Sequence, residues 1–375
     1  VGYLADVYWG KEKAERNFIH FLLYMLYFPH VLQGPIPRHS HLSPQLIEGH
    51  KFNYTQFCFG LQRIVWGLFK KLVIADRFSV ITRTVFGQNI LEYGGQIYVF
   101  ALLCSWAVMY CDFSGCMDIA LGVSESLGIK LDENFRRPFY SRTCGEFWRR
   151  WHITLGTWFT DYIFMPFMTP MFVKFCGKIR KVFGARFSKG VMMVIPLAVV
   201  WLLTGLWHGT GAHFIVWGAY WWVLISIENV FAPEFKKLTK KLRINPSSPW
   251  FERFQIFRTI IFFLGSRLIT GLGDFHKSLH VLKSMLTEFN PWIWFDKTIY
   301  SFGLDAPNFW CGVIAVLILW KMSAIQEKGI SVRQKIAGFP LPVRWCVYLG
   351  AVFAVLIFGM YGPGFNASDF IYMQF

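Results

Sequence analysis

Long apolar stretches recur along the chain at the length that a membrane helix needs. Because a helix rises about 1.5 Å per residue, roughly 20 apolar residues cross the roughly 30 Å of hydrocarbon in a bilayer. Several such stretches indicate a polytopic membrane protein, since a single anchor needs only one. They cover residues 190–207, 214–231, 254–272, 309–324 and 345–362.

Three earlier apolar stretches contain or adjoin His, Arg, Lys or Asp, which favours tilted, re-entrant or interfacial segments. They cover residues 18–32, 57–75 and 97–109. Irregular backbone at membrane depth must line a cavity or be covered by protein. The pattern therefore predicts an all-α, polytopic transmembrane fold in which some helices are re-entrant or broken.

The strongest breaks in this pattern predict loops between membrane segments rather than linkers between domains. They are the basic stretch 174–189, the turn 245–249 and the polar stretch 274–307. The chain has no fixed-period repeat and no glycine-rich nucleotide-binding pattern, so we expect residues 1–375 to form a single membrane domain. Because the sequence opens with Val1 in mid-pattern, we also expect N-terminal membrane segments to precede it.

Composition and charge agree with a membrane protein and exclude a nucleic-acid partner. Apolar residues make up 54% of the chain and charged residues only 16%, far from the usage of soluble domains. Lys and Arg exceed Asp and Glu by 38 to 22, but they cluster at 174–189, 236–243 and 321–344. Basic loops between membrane segments face the cytoplasm, and the C-terminus, without Lys or Arg after Tyr361, is then expected outside.

Cysteine and histidine spacings predict no metal site. The eight cysteines are scattered without a zinc-type spacing, and we interpret them as packing residues. His276 and His280 have the i, i+4 spacing of a helical ligand pair, but no acidic or thiol residue joins them at a metal-ligand spacing.

Polar residues in apolar surroundings are informative, because a charge at mid-bilayer costs about 2.5 to 3.5 kcal/mol. In residues 28–41, three prolines and Gly34 prevent a continuous helix, so this first cluster either lines a cavity or forms a surface loop. The second cluster, residues 110–122, contains Asp112 and Asp118. Six residues turn about 600° around an ideal helix, so the two side chains would point in divergent directions. That spacing argues against a carboxylate pair, and we expect both acids to pair with the Arg residues that follow.

The third cluster, residues 134–162, contains His152. If its later part is one continuous helix, Glu146 meets Arg149 and Arg150, and His152 lies on the opposite, apolar stripe. A histidine on an apolar stripe is usually a satisfied core residue, so the pattern alone leaves packing and catalysis open.

The fourth cluster, residues 202–214, contains His208 at the end of a wholly apolar segment. Glycines let another backbone or a substrate approach closely, and three of them surround this histidine: Gly205, Gly209 and Gly211. With an ordinary pKa of about 6.5, imidazole suits proton transfer at neutral pH. The alternative is a turn histidine bonded to a carbonyl.

A resemblance to the membrane-bound O-acyltransferase family is carried by residues 110–167, YCDFSGCMDIALGVSESLGIKLDENFRRPFYSRTCGEFWRRWHITLGTWFTDYIFMPF. The chain looks most like the bacterial branch that acetylates alginate and transfers D-alanine to teichoic acids. The similarity extends over nearly the whole chain, through DVYWGK, FPHVLQGPIPR, TGLWHGTGAHFIVWG and YGPGFNASDFIYMQF.

Two departures from the family pattern bear on the acyl group. The stretch MPFM at 165–168 replaces the Pro-Leu-Gly-Gly stretch common in acetylating relatives, and Cys116 occupies a position that often holds an aromatic residue. Because the teichoic-acid branch often lacks Pro-Leu-Gly-Gly as well, the departures make the acyl group less certain and leave the reaction class unchanged.

The resemblance implies helices around a central path and an enzyme of the cytoplasmic membrane, with His208 as the catalytic histidine and His152 as its supporting partner. It implies acyl transfer, with an acetyl group favoured, from a thioester to a hydroxyl. No tightly bound cofactor is expected; acyl-CoA or an acyl-carrier protein is the co-substrate on the cytoplasmic side. The acceptor is a cell-surface polysaccharide or teichoic acid, and an extracellular acyltransferase partner remains open.

Seven further polar, aromatic or turn-forming residues in these motifs are candidates for substrate contact: Gln33, Pro35, Arg38, Asp112, Asn134, Arg150 and Trp207. Three other functions stay open at this point. They are D-alanyl transfer to teichoic acid, ion-coupled transport through intramembrane Asp, Arg and His residues, and a scaffold that recruits a separate transferase.

Overall fold

The computed structural model describes residues 1–31, 34–87 and 90–361, and within these ranges every named element is helical. The all-α prediction is therefore confirmed. The α-helices are α1 (Gly2–Tyr8), α2 (Phe18–Met25), α3 (Phe28–Val31), α4 (His39–Ile47), α5 (Tyr54–Leu68), α6 (Asp76–Val85), α7 (Gln96–Ser126), α8 (Cys144–Arg150), α9 (Ile153–Phe159), α10 (Met165–Phe167), α11 (Pro170–His208), α12 (Ala212–Val230), α13 (Ala232–Lys241), α14 (Pro249–Gly271), α15 (Phe275–Thr287), α16 (Ala306–Glu327), α17 (Val332–Ala337) and α18 (Leu341–Phe358).

Shorter turns of helix connect some of these elements. Two are π-helical, Phe69–Ala75 and Thr160–Phe164, and four are 3₁₀ turns: Ile90–Glu92, Pro138–Tyr140, Pro291–Trp294 and Thr298–Tyr300.

Four helices in the described ranges are long and apolar enough to cross a membrane: α7, α11, α16 and α18. A fifth candidate is the consecutive pair α12 and α13, which is bent by 60°. Four of the five long apolar stretches fall in these helices. The stretch 254–272 forms α14, which carries Arg258 and Arg267 and is not among the candidates.

Two of the three expected loops are partly helical. The basic stretch 174–189 lies in α11, which is helical on either side of a sharp kink at Gly184, where φ is 84°. Across this kink the Ser188 hydroxyl donates to the Cys176 carbonyl at 2.7 Å. The polar stretch 274–307 contains α15. Lys and Arg have good helix propensity, so a run of basic residues indicates a solvated helix as readily as a loop. The turn at 245–249 is confirmed, since it falls between α13 and α14.

The chain forms two compact units. This division does not test the prediction of a single membrane domain. Unit one contains Val1, Tyr3–Asn134 and the described residues from Leu279 onward. Unit two contains Gly2 and Phe135–Ser278.

In unit one, α5 and α7 run antiparallel and touch backbone to backbone. A Cβ atom on Gly60 would lie 2.5 Å from the carbonyl oxygen of Gly122, and one on Gly67 would lie 2.6 Å from that of Gly115. Side chains larger than hydrogen do not fit at such distances. Small residues make close helix pairs possible where lipid supplies no hydrophobic driving force between helices.

A group of buried charges lies beside this helix pair. Asp118 of α7 binds Arg63 Nε at 2.9 Å and Lys70 Nζ at 2.7 Å, while Arg63 also binds Glu133 at 2.6 Å. The expectation that Asp118 pairs with the Arg residues that follow it is wrong. Both partners precede Asp118 in the sequence, because the antiparallel packing brings α5 and the next turn alongside α7.

Asp112 is paired in the same way, six residues earlier on α7. Its carboxylate accepts a hydrogen bond from Lys71 Nζ at 2.6 Å, and the same ammonium group reaches Asp76 at 2.8 Å. Lys71 is only 5% exposed. Buried charges persist only when they are paired and hydrogen-bonded, so these acids compensate lysines of the π-helical turn Phe69–Ala75.

We predict that Asp118→Asn destabilises the protein by about 3 kcal/mol, the lower end for breaking a buried ion pair, since Lys70 and Arg63 keep other partners. The thermal midpoint of the detergent-solubilised protein measures this loss. Asp132→Asn is the matched control, because the Asp132 side chain is 57% exposed. Equal midpoints for the two variants would contradict the prediction.

Candidate active site

His208 lies at the tip of the hairpin that α11 and α12 form in unit two. A Cβ atom on Gly205 would lie 2.4 Å from the carbonyl oxygen of Phe214, and one on Gly218 would lie 2.4 Å from that of Trp201. These glycines let the two helices touch along their last and first turns. The turn of the hairpin is short, since α11 ends at His208 and α12 begins at Ala212.

Aromatic rings flank the imidazole of His208. The Trp217 ring lies 4.9 Å from it, centroid to centroid, in an edge-to-face arrangement, and the Trp207 ring lies 4.8 Å from it in the same arrangement. Phe214 stacks on it at 6.4 Å. Large rings in contact with the imidazole restrict its orientation and exclude water from its faces.

A short helix, α8, leads the chain towards His152, and its first turn is anchored by a half-buried acid. Glu228 of α12 accepts hydrogen bonds from the backbone N–H groups of Cys144 at 2.7 Å and Gly145 at 3.4 Å. Arg258 of α14 donates to Glu228 at 3.1 Å and to the carbonyl oxygen of Arg142 at 2.9 Å. A carboxylate at a helix N-terminus satisfies free N–H groups and complements the helix dipole.

His152 occupies the turn between α8 and α9. Its φ of 47° and ψ of 51° are left-handed, a conformation that costs a non-glycine residue free energy. The helix considered from the sequence is therefore interrupted at His152. The reason is a local pairing: Trp151 forms an antiparallel bridge with Phe135, and the N–H of Arg136 donates to the Arg150 carbonyl at 2.9 Å.

The predicted Glu146–Arg150 ion pair is present, with a 2.7 Å distance between carboxylate and guanidinium. Both residues lie in α8, before the helix breaks, so their i, i+4 spacing survives. Arg150 is thus held by Glu146 within unit two.

His152 is buried, 7% exposed, and its ring lies 6.0 Å from that of Trp207. Trp207 therefore contacts both imidazoles, since it also touches His208. Burial lowers the pKa of His152 to about 3, and the neighbouring His208 lowers it further by charge repulsion. His152 is consequently neutral at physiological pH. The structure brings His152, His208 and Trp207 together.

Sequence reasoning missed Trp148 and Glu228. Trp148 of α8 lies against Trp201 at 4.8 Å and Trp217 at 5.7 Å, so it joins the aromatic group behind His208. Glu228 had a visible signal, because it is the only acid in the apolar stretch 214–231. Trp148 had none, since tryptophans are frequent throughout the chain.

The remaining predicted substrate residues lie in unit one or outside the described residues. Asn134 is fully buried and donates to the sulfur of Met117 at 3.2 Å. Asp112 is paired with Lys71, as described above. Pro35 is buried in the irregular segment before α4, and Arg38 directly precedes that helix. Gln33 lies outside the described residues.

The surroundings of the site do not favour a reactive cysteine or a bound metal ion. Burial and the charge of Glu228 raise the pKa of the Cys144 thiol, so that it stays protonated and unreactive at neutral pH. Among residues 1–31, 34–87 and 90–361, no three His, Cys, Asp or Glu side chains are grouped closely enough to hold a metal ion.

Comparisons with known proteins agree with the resemblance. A model of the membrane-bound O-acyltransferase family matches residues 12–266. A probable alginate O-acetylase of Pseudomonas syringae pv. tomato is 34% identical over 229 residues, which cover 61% of this chain and 40% of that protein. The peptidoglycan O-acetyltransferase of Helicobacter pylori is 31% identical over 59% of this chain and 39% of its own length.

A teichoic acid D-alanyltransferase of Bacillus subtilis is also similar. It is 31% identical over 246 residues, which cover 62% of this chain and 56% of that protein. The chain thus spans less than half the length of the two acetylating relatives and just over half of this one.

We predict that Gly205→Ala and Gly218→Ala each destabilise the protein by about 1 to 3 kcal/mol, because a methyl group must push the two helices of the hairpin apart. Thermal unfolding in detergent measures the loss. Gly190→Ala, also in α11, is the control, since its Cβ atom would lie 3.9 Å from its nearest neighbour, Val230. A control as unstable as the test variants would refute the close-contact interpretation.

We predict that His152 makes the protein less stable as the pH falls below about 6.5. The folded state lowers the pKa of His152 to about 3, so between these values the unfolded chain binds a proton that the folded chain does not, and protonation favours unfolding. His152→Asn should flatten the decline of the thermal midpoint between neutral and mildly acidic pH. The exposed His276→Asn should leave it unchanged, and parallel curves for wild type and His152→Asn would count against the prediction.

Proposed function

Because the chain belongs to the membrane-bound O-acyltransferase family, we propose that it is an enzyme that moves an acyl group from a thioester to a hydroxyl. The observation that carries the proposal is the arrangement in unit two. His208 lies at a hairpin tip, and Trp207 contacts both His208 and the buried, neutral His152.

His208 is the general base in this proposal. It accepts the proton of the acceptor hydroxyl while the oxygen attacks the thioester carbonyl, a role worth about 10² to 10⁴ in rate. The tetrahedral intermediate collapses by breaking the carbon–sulfur bond, and the imidazolium returns the proton to the departing thiolate. No serine or cysteine nucleophile is needed, because the acceptor oxygen itself forms the new ester bond.

His152 supports this reaction without changing charge. Because its pKa is lowered to about 3, it remains neutral while His208 gains a proton, and a second charged imidazole would repel that proton. Its role is to orient His208 or to donate a hydrogen bond to the acceptor or the developing oxyanion. The left-handed backbone at His152 is a conformation that proteins keep at functional sites despite its cost.

The apolar surroundings favour transfer over hydrolysis. Trp217, Trp207 and Phe214 pack against His208, and limiting water at the site keeps the thioester from reacting with it instead of with the acceptor. Arg150 and Trp207 are the predicted substrate residues in the same unit, and we retain both as contacts to the acceptor or the donor.

For substrates, we propose an acetyl group, a cytoplasmic donor and a polysaccharide of the cell envelope. Relatives named for O-acetylation of alginate and peptidoglycan support the acetyl group and the polysaccharide. The donor is acetyl-CoA or an acylated carrier protein, and the enzyme lies in the cytoplasmic membrane as a multi-pass protein that works with an extracellular acyltransferase partner.

D-alanyl transfer to teichoic acid is the second candidate. It is favoured by MPFM at 165–168 in place of Pro-Leu-Gly-Gly and by similarity to a D-alanyltransferase. Ion-coupled transport is weaker, because Asp112 and Asp118 are paired with Lys71, Lys70 and Arg63. Purified protein given acetyl-CoA or a D-alanyl carrier protein distinguishes all three, since only the correct donor exchanges its acyl group.

We predict that His208→Ala abolishes acylation of the envelope polysaccharide and that His152→Ala reduces it severely, because the first removes the base and the second its support. Acyl release from isolated polysaccharide measures the activity, and immunoblotting of membranes measures the protein. Surface acylation retained by His208→Ala would refute the general-base role. Normal turnover by His152→Ala would assign His152 to packing.

The matched control is His276→Ala. His276 is exposed on α15, so its loss leaves the proposed machinery intact, and acylation should stay at the wild-type level. Equal losses of acylation in all three variants would show that any histidine substitution disturbs the protein. That result would refute the proposed roles of His208 and His152.

A further inference from the structure

Helix α13 is an amphipathic helix that follows directly on α12, an apolar helix of 19 residues. The chain leaves α12 at Phe231 and bends by 60° into α13. Pro233 lies in the first turn of α13, where it starts a new helix readily but does not continue the preceding one. The bend therefore directs α13 away from the axis of α12.

The apolar residues of this segment lie on one stripe. They follow at spacings of four, three and four residues, which places them within about 60° of the helix circumference. Each is between 45% and 59% exposed: Phe231, Phe235, Leu238 and Leu242. Four large apolar side chains in a row without cover from the protein require an apolar environment of their own.

The basic residues occupy the other side of the same segment. All are exposed, and they are Lys236, Lys237, Lys240, Lys241 and Arg243. The only acid in α13, Glu234, is bound to Arg186 of α11 at 2.5 Å, so it offsets a charge outside the helix. One side of α13 therefore carries the basic residues, and the opposite side carries the exposed apolar stripe.

We propose that α13 lies flat in the membrane surface and binds the headgroups of anionic phospholipids. Its stripe enters the boundary between headgroups and acyl chains, and its lysines reach the phosphates, as in other interfacial helices. The continuity with α12 favours this partner, because the apolar helix delivers α13 to the bilayer surface at its end. This interaction is independent of the acyl-transfer chemistry.

The first test compares the two faces of α13 in the full chain, reconstituted into phosphatidylcholine and phosphatidylglycerol nanodiscs. An environment-sensitive fluorophore is attached to Leu238→Cys or to Lys237→Cys, each in a Cys346→Ser background, since Cys346 is exposed. The Leu238→Cys label should be quenched by lipids spin-labelled on their acyl chains and shielded from aqueous iodide. The adjacent Lys237→Cys label should show the reverse.

The second test concerns the charge of the lipid. Quenching of the Leu238→Cys label by spin-labelled phosphatidylglycerol should exceed quenching by spin-labelled phosphatidylcholine, and Lys236→Gln, Lys240→Gln and Lys241→Gln together should weaken that preference by about tenfold. Lys321→Gln, Lys328→Gln and Lys335→Gln remove the same charge from exposed positions elsewhere and should leave it nearly unchanged.

Three results would overturn the proposal. Equal iodide access to both labels would show that α13 does not lie in the surface. A lipid preference unaffected by the α13 substitutions would remove the role of its lysines. Shielding of Leu238→Cys that appears only when an acidic protein is added would assign the face to a protein partner instead.

Discussion

The contact between α11 and α12 at Gly205 and Gly218 is the constraint on which the candidate active site depends. Because each glycine faces a carbonyl oxygen at a distance that excludes any side chain, the two helices can approach closely enough to form one narrow hairpin. The hairpin tip carries His208. A wider hairpin would carry Trp217 away from His208 and remove the ring that limits its orientation.

In unit one, glycines also allow two helices to pack closely, but the neighbouring side chains differ. Gly67 and Gly115 bring α5 and α7 into backbone contact, and the side chains beside that contact are charged rather than aromatic. Asp118 compensates Lys70 and Arg63 there. Charges that would be costly in lipid are acceptable when opposite charges surround them. Close helix packing thus builds an aromatic site in one unit and a neutralised ionic core in the other.

The chemistry of unit two follows from how α8 is held at both ends. Glu228 and Arg258 fasten its first turn, and the bridge between Phe135 and Trp151 ends it. The left-handed residue that results, His152, is buried and neutral, next to a second histidine at the hairpin tip. A neutral partner does not repel the proton that His208 would gain as the proposed base.

The sequence by itself determined the helical membrane class, the break near Gly34 and the family motifs that single out both histidines. These features depend on local composition and on spacing, which are read directly from neighbouring residues. Tertiary structure decided that the helix stops before His152, that Asp118 pairs with residues of another helix, and that Glu228 anchors α8. Each of these rests on a partner distant in the sequence, and spacing along a single segment carries no information about such a partner.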